Sequence, residues 1–140
     1  MNILILQGPN LNLLGLQSSK SKKKLTLDKL NKKVRFHCRS KDVKLKIFQT
    51  HKEFQAINFI QRNRTWADKL LFIPTTWAIN NFTILETIKI INISTALVLF
   101  EEPYSFNVEK EASIFKGKNF KTFIGPPIDS CLDSIDYFIK

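Results

Sequence analysis

The sequence alternates short apolar runs with longer amphipathic stretches, and this alternation limits the fold more than any other feature. Each apolar run has the length of a strand that is buried on both faces. The stretches between the runs are long enough for helices that return the chain to the start of the next strand. The predicted strands are residues 3–7, 43–49, 69–73, 95–100 and 119–125.

The first two long helices are predicted from apolar spacing and from a capping signal. Residues 27–39 have one apolar face. That face consists of Leu27, Leu30, Val34 and Cys38. Thr50 and Glu53 have the spacing of a capping box, which predicts that a second helix starts there. This second helix carries Phe54, Ile57, Phe59 and Ile60.

Two more helices are predicted farther along the chain. Asn80 or Asn81 is the expected N-cap of the next helix. Its inward-facing residues are expected to be Ile84, Leu85, Ile88 and Ile91. Asp129 or Ser130 is the expected N-cap of the last helix. Its buried residues are expected to be Leu132, Ile135, Phe138 and Ile139.

The repeated strand–helix order predicts an α/β fold in which helices cover both faces of a parallel sheet. Crossover connections are expected to be right-handed. For five strands, we predict a flavodoxin-like three-layer sandwich with the strand order 2-1-3-4-5. Ligands bind beyond the carboxyl ends of the strands in such sheets. Those ends are the loops 8–25, 50–53, 74–80, 101–112 and 126–129.

The length of the chain and its composition indicate one domain, residues 1–140, without internal repeats or linkers. An apolar content of 44% and a mean hydropathy of -0.12 fit a globular protein, and no apolar run is long enough to span a membrane. No signal peptide is recognised near Met1, and Cys38 and Cys131 form no metal-binding pattern. We therefore expect a cytoplasmic protein with reduced thiols and with neither a cofactor nor a metal.

The net charge of +10 raises the question of nucleic-acid binding. Lys, Ile, Phe and Asn make up 58 of the 140 residues, and A/T-rich codons favour all four. Lysine outnumbers arginine by 18 to 4, whereas phosphate-binding surfaces tend to favour arginine. Composition drift in an A/T-rich genome is therefore the preferred explanation. The basic run at residues 20–24 is then a solvated loop, and a nucleic-acid-binding module is only a remote alternative.

The loop Gly8-Pro9-Asn10-Leu11-Asn12 follows the first predicted strand, on the ligand side of the sheet. Gly8 permits a tight turn, and Pro9 restricts the exit of the chain. Asparagine amides can both donate and accept hydrogen bonds to a ligand. Alternatively, they can satisfy the backbone of their own loop.

GPNLNLLG, residues 8–15, resembles the start of type II dehydroquinases, the 3-dehydroquinate dehydratases of the shikimate pathway to aromatic amino acids. The segments LTLDKLN (25–31) and FQTHKE (48–53) are similar to further motifs of the same lyase family. Pro74 corresponds to the proline of its N-P-G-A-Y-T-H motif, and residues 123–131 correspond to its last strand and Gly-rich turn. The resemblance covers nearly the whole chain, with about one gap near residue 108.

Membership of this family would imply a trans elimination of water from 3-dehydroquinate. A tyrosinate in a mobile loop removes the proton beside the ketone, and an arginine nearby favours the tyrosinate. Polar groups and bound water stabilise the enolate. A histidine after the fourth strand protonates the departing hydroxyl. The family assembles as trimers stacked into dodecamers, so the resemblance also implies a homo-oligomer.

Several positions depart from the family motifs. Gln17 replaces the loop arginine, and Lys22-Lys23 replaces the tyrosine base and its glycine. Phe100 replaces the acid histidine. Ile73 and Ile79 replace an asparagine and a histidine that bind substrate, and a lysine, Lys110, replaces the carboxylate-binding arginine. Phenyl and alkyl side chains cannot transfer protons or accept hydrogen bonds.

Five residues remain candidates for a site. Asn12 is the candidate for orienting a water at the enolate, unless it only holds its loop. Lys22 is a weak replacement base, because it would have to act in its neutral form. Glu53, Glu86 and Lys110 are candidate substrate-binding residues. Alternatively, the capping box accounts for Glu53, and Glu86 is a helix-surface acid where the family has an aspartate that closes a neighbouring subunit's site.

Three functions remain open. The first is a much-altered 3-dehydroquinate dehydratase that acts on 3-dehydroquinate. The second is an inactive family member that is kept as a scaffold or a partner subunit. The third is the basic nucleic-acid-binding module. Enone formation from 3-dehydroquinate distinguishes the first function from the second, and a salt-sensitive gel shift identifies the third.

Overall fold

One parallel sheet organises the chain in a computed structural model that describes residues 1–140. The strands are β1 (Asn2–Gln7), β2 (Lys44–Gln49), β3 (Lys69–Ile73), β4 (Ser94–Phe100) and β5 (Phe120–Gly125). Their order is β2-β1-β3-β4-β5, and every neighbouring pair is parallel. The predicted flavodoxin-like order is confirmed, and no strand boundary differs from its prediction by more than one residue.

Five helices connect or follow the strands. They are α1 (Leu14–Gln17), α2 (Leu27–Cys38), α3 (Glu53–Arg62), α4 (Phe82–Ile91) and α5 (Pro127–Ile139). Thr26 caps α2, because its side chain accepts a hydrogen bond from the Lys29 amide. Asn81 caps α4 in the same way, through the Ile84 amide, which confirms one of the two predicted caps. No helix combines the length and the apolar character that a crossing of the bilayer requires.

The predicted capping box at Thr50 and Glu53 is wrong. The N-cap of α3 is Lys52, which makes no side-chain cap. The Thr50 amide donates to the Gln7 carbonyl at 3.0 Å, so the pairing with β1 continues through Thr50 and α3 begins only at Glu53. Its hydroxyl accepts from the Lys52 amide at 3.0 Å, which shapes the turn between β2 and α3.

The predicted start of the last helix at Asp129 or Ser130 is also wrong. α5 begins at Pro127, because a proline at the first helical position lacks only an amide that would have no partner there. The Ser130 hydroxyl donates to the Pro126 carbonyl at 2.7 Å instead of capping. Ile139 is 41% exposed, contrary to prediction, since it is the last residue of the helix.

The two faces of the sheet are buried in separate apolar layers. Ile3 and Ile5 of β1 lie in the layer that α2 and α5 cover. Leu4 and Leu6 lie in the layer that α3 and α4 cover. Side chains alternate between the faces along a strand. A central strand that is buried on both sides therefore appears in the sequence as a continuous apolar run.

Candidate functional site

The loop after β1 is held by close backbone packing. The Gly8 amide donates to the Ile73 carbonyl at 2.8 Å, and a methyl group on Gly8 would overlap the Pro74 carbonyl oxygen. Gln49 Nε2 donates to the Gly8 carbonyl at 3.0 Å. Glycine is therefore required here, because the ends of β1 and β3 approach each other too closely for a side chain.

The asparagines of this loop have different surroundings. Asn10 has φ 66°, a left-handed conformation that asparagine tolerates better than most residues. Its amide donates to Nδ1 of His51 at 3.1 Å, which makes that nitrogen an acceptor and places the proton of neutral His51 on Nε2. Asn12 is exposed. Asn10 makes no side-chain cap hydrogen bond, and its contact with His51 uses the backbone amide, so the expectation that the asparagine amides satisfy the backbone of their own loop is not borne out.

Apolar side chains fill the carboxyl ends of β3 and β4, where a ligand is expected in this type of fold. The cavity left there has a volume of about 10 Å³. Its lining consists of Ile73, Thr75, Val98, Leu99, Phe100, Phe106 and Val108. A cavity of this size is at the lower limit for a single water molecule. Phe100 is only 7% exposed, and it lies in the same apolar layer as Tyr104.

Two hydrogen bonds tie the end of α1 and the loop 18–24 to the loop after β4. Gln17 Nε2 donates to the Ser105 carbonyl at 2.7 Å. Tyr104 is buried, and its hydroxyl donates a hydrogen bond to the Lys23 carbonyl. We call this pair of contacts the loop latch. It fastens this part of the chain to the loop that follows β4.

The base of the same loop is also anchored. Ser18 is fully buried, and its hydroxyl accepts from the Leu25 amide at 2.9 Å. It also donates to the Leu14 carbonyl at 2.8 Å. Both ends of the loop are therefore fixed to α1 and to the start of α2.

Sequence reasoning missed Tyr104 as a structural residue of this region. The structure places its hydroxyl against the backbone of the lysine loop. The available signal was composition. Phe100, Tyr104 and Phe106 bring three aromatic rings into a segment where the fold predicts a polar ligand loop.

The five candidate residues do not form one site. Asn12, Lys22, Glu53, Glu86 and Lys110 are all exposed. None of them lines the small cavity. Glu53 accepts a hydrogen bond from Asn81 Nδ2 at 2.8 Å, so its carboxylate joins the start of α3 to the start of α4. This contact gives Glu53 a structural role that sequence spacing attributed to a capping box.

Lys110 lies in an open cleft of about 510 Å³ beside the loop after β4. Four carboxylates share that cleft, namely Glu101, Glu102, Glu109 and Glu111. Because acidic groups outnumber the one lysine, the cleft is electrostatically unfavourable for a carboxylate ligand. The structure therefore does not provide Lys110 with the surroundings of an anion site.

One polar side chain near this end of the sheet lacks a full set of partners. Gln7 is 2% exposed, and its Nε2 donates to Asn31 Oδ1 at 2.8 Å. Its Oε1 is buried and has no hydrogen-bond partner. Asn31 lies on α2, so the amide pair joins β1 to that helix rather than facing the cavity at β3 and β4.

The groups with displaced pKa values are both thiols. Burial raises the pKa of Cys131 to about 12, and burial is also the main cause of the raised pKa of Cys38. Both thiols lie in the apolar layer under α2 and α5 and stay protonated at neutral pH. No group of three His, Cys, Asp or Glu side chains is placed to hold a metal ion.

Comparison with known proteins gives consistent matches. The family model "Dehydroquinase class II" matches residues 1–138. A 3-dehydroquinate dehydratase of Clostridium botulinum is 28% identical over 113 residues, which are 81% of this chain and 77% of the relative.

Two solved structures share the fold. The type II dehydroquinase of Butyrivibrio crossotus has a TM-score of 0.86 at 21% identity and covers 100% of this chain and 98% of its own. A 3-dehydroquinate dehydratase-like protein of Bifidobacterium longum has a TM-score of 0.61 at 13% identity, with 99% and 98% coverage. At these identities the structural likeness concerns the fold.

Proposed function

The chain belongs to the class II dehydroquinase family, and from this membership we propose that it is a catalytically inactive member kept as a subunit of an oligomer. The observation that carries this proposal is the filled end of the sheet. The space bordered by Ile73, Phe100 and Phe106 has a volume of about 10 Å³, which is too small for a substrate with a six-membered carbon ring. The open cleft of about 510 Å³ that adjoins it at Phe100 is lined by four carboxylates and one lysine, a charge balance that disfavours an anionic substrate.

The chemistry of the lining supports the same proposal. A dehydration needs a base for the proton beside the ketone and an acid for the departing hydroxyl. Thr75 is the only polar residue that lines the cavity, and its hydroxyl donates to the Pro9 carbonyl at 2.8 Å. Loss of a general acid alone lowers the rate by a factor of about 100 to 10,000.

A turnover assay tests the proposal directly. We expect that purified protein at about 100 µM with 3-dehydroquinate produces no enone absorbance above a buffer blank. Calorimetry with the same compound is expected to show no binding heat, because the cavity is filled. Enone formation that scales with protein concentration would contradict the proposal. Binding of 3-dehydroquinate without turnover would also contradict the proposal, because it would show that the filled end of the sheet can open to admit the compound.

The second candidate is the 3-dehydroquinate dehydratase reaction itself. The observation in its favour is sequence similarity, since the matched Clostridium botulinum protein is a 3-dehydroquinate dehydratase. In this candidate, Asn12 orients water at the enolate and Lys22 is the replacement base. Glu53, Glu86 and Lys110 bind the substrate. Enone formation that is lost in Lys22→Met and Asn12→Ala would establish it.

An exposed apolar surface supports the oligomeric part of the proposal. Phe82 and Ile90 of α4 are 64% and 76% exposed, and Ile79, just before α4, is 45% exposed. We call these three residues the α4 patch. Glu86 is exposed on the same helix. Adjacent apolar side chains of this kind are typical of a surface that another protein covers, and we propose a second copy of this chain, in a trimer or a dodecamer.

Light scattering after size-exclusion chromatography tests the role of the α4 patch. We expect an oligomer for the natural sequence and a shift toward monomer for Phe82→Glu/Ile90→Glu, because buried carboxylates would destabilise the contact. Lys118→Glu/Lys121→Glu is the control, since both lysines are exposed and lie outside the patch. A monomer for the natural sequence would contradict the oligomeric proposal.

A further inference from the structure

The positive charge of the chain is concentrated in one segment. Residues 20–41 contain ten of the 22 Lys and Arg residues and only one acidic residue, Asp28. This segment therefore carries a net charge of +9 of the chain's +10. Codon composition alone would distribute lysines along the whole sequence. Composition drift therefore does not account for this concentration of charge.

The folded chain brings much of this charge to one groove. The groove has a volume of about 770 Å³ and runs along α2. Its basic side chains are Lys29, Lys32, Lys33, Arg35 and Arg39. Its apolar side chains are Leu25, Phe36 and Ile128. We call it the α2 groove. The lysines of the loop 20–24 directly precede Leu25, so the positive surface continues beyond one end of the groove.

The basic side chains of the α2 groove are mostly free to bind an anion. All five are exposed. Only Lys32 has an acidic partner, Asp28, at 3.1 Å, and both side chains of that pair are 75% exposed. An exposed pair of this kind is weak. The groove therefore presents at least four cations that no carboxylate neutralises.

Phe36 adds a flat apolar surface between these cations. Its side chain is 68% exposed. The Arg39 guanidinium carbon lies 5.4 Å from the centre of its ring, which is within the range of a cation–π contact. An exposed aromatic ring among cations is the combination on which the bases of a single nucleic-acid strand stack while its phosphates are neutralised.

We propose that the α2 groove binds single-stranded nucleic acid. Phosphates pair with the lysines and arginines, and a base stacks on Phe36. From Lys29 to Arg39 the helix extends about 15 Å at 1.5 Å per residue, enough for a few nucleotides. A duplex keeps the faces of its bases stacked within the helix, so the groove is suited to a single strand. This inference is independent of the proposed loss of catalysis.

The proposed contacts predict a strong salt dependence. With about five phosphates neutralised, the logarithm of the binding constant falls with the logarithm of salt with a slope of about -3.5 for a single strand. Raising the salt concentration from 50 to 200 mM then weakens binding by about 100-fold. Because stacking is tolerant of sequence, oligo(U) and oligo(dT) are expected to bind with similar affinity.

Fluorescence anisotropy with a labelled 12-nucleotide oligo(U) and the full chain tests the proposal. Lys29→Glu/Lys33→Glu is expected to weaken binding by at least tenfold. The matched control Lys118→Glu/Lys121→Glu makes the same change in net charge outside the α2 groove and is expected to have a much smaller effect. Phe36→Ala is expected to weaken binding several-fold, whereas Phe54→Ala, at an exposed phenylalanine of α3, is expected to have no effect.

Four results would overturn the proposal. The first is no anisotropy change at 25 mM salt with 100 µM protein. The second is an equal loss in the two double variants, which would indicate a general charge effect. The third is equally tight binding of a 12-base-pair duplex. The fourth is displacement of oligo(U) by polyglutamate at equal charge, which would indicate an acidic protein as the occupant.

Discussion

At the scale of single residues, Thr75 has a conformation that β-branched residues rarely adopt. Its φ is 51°, and it is 5% exposed beside the small cavity. The family motif N-P-G has glycine at the corresponding position, which adopts this conformation without strain. The hydrogen bond from its hydroxyl to the Pro9 carbonyl offsets part of the strain. Thr75 therefore both occupies space at the cavity and ties two loops together.

Two substitutions of Thr75 measure this strain. Both Thr75→Ala and Thr75→Gly lose the hydrogen bond, but only glycine relieves the left-handed backbone. We expect Thr75→Gly to be about 1 kcal/mol more stable than Thr75→Ala in urea denaturation. At Thr87, which lies inside α4, the order is expected to reverse, because glycine weakens a helix. An alanine variant that is more stable at both positions would contradict the strain at Thr75.

Gly8 is expected to tolerate no side chain. A methyl group there would overlap the Pro74 carbonyl oxygen, and backbone cannot move aside as a flexible side chain does. We expect Gly8→Ala to destabilise the fold by about 1 to 3 kcal/mol, measured by urea denaturation. The control is Gly125→Ala, whose new methyl group would lie 3.9 Å from Ser130 Cβ. Equal stability losses in the two variants would show that close approach is not the reason for Gly8.

At the scale of elements, the loop after β4 packs aromatic side chains against the sheet. Phe100, Tyr104 and Phe106 contribute to the apolar layer under α2 and α5. In the same loop, the Ser105 carbonyl accepts the hydrogen bond from Gln17 Nε2. Phe100, which corresponds to the acid histidine in the family resemblance, is thus part of the apolar layer under α2 and α5.

Limited proteolysis tests the loop latch. The loop 18–24 contains four lysines, so trypsin reports how often it opens. Tyr104→Phe removes only the hydroxyl that donates to Lys23, and we expect faster cleavage within residues 20–24. Tyr137→Phe is the control, because Tyr137 is 49% exposed on α5. If Tyr104→Phe and Tyr137→Phe are cleaved at the same rate, the latch does not hold the loop.

At the scale of the whole molecule, two apolar layers and a parallel sheet stabilise the chain without a disulfide. Cys38 and Cys131 are both free and buried. Cys131 packs with Ile135 and Phe138 in the layer under α2 and α5. Its protonated thiol behaves as a small apolar group, so ionisation at this site opposes the folded state.

The raised pKa of Cys131 predicts a loss of stability at alkaline pH. Below pH 9 the thiol is protonated in both states and has no effect. Between pH 9 and about 12, the unfolded chain loses a proton that the folded chain keeps, so stability falls as pH rises. This group contributes about 1.4 kcal/mol per pH unit.

Urea denaturation from pH 8 to 11 provides the measurement. We expect Cys131→Ala to remove this part of the alkaline slope, although the substitution itself lowers stability at every pH. Lysines and tyrosines titrate in both proteins, so the difference between the two slopes isolates the thiol. Parallel pH profiles would contradict the raised pKa.

Sequence alone was sufficient for the strands and the helix faces, since these follow from local periodicity. The strand order followed from the fold type that a repeated strand–helix pattern favours. The ends of α3 and α5 were misplaced, because Thr50 pairs with Gln7 in the sheet and Pro127 can begin a helix. Motif spacing also located Phe100 at the carboxyl end of β4. The features that the sequence predicted correctly depend on neighbouring residues or on a pattern that repeats along the chain.

Tertiary structure alone decided how the end of the sheet is filled and which side chains form the α2 groove. Tyr104 and Lys23 are 81 residues apart, and no periodicity relates them. Likewise, Ile128 of α5 joins the α2 groove only because both helices pack on the same face of the sheet. Contacts between distant segments depend on the shapes and volumes of side chains in three dimensions, which a pattern along one chain does not contain.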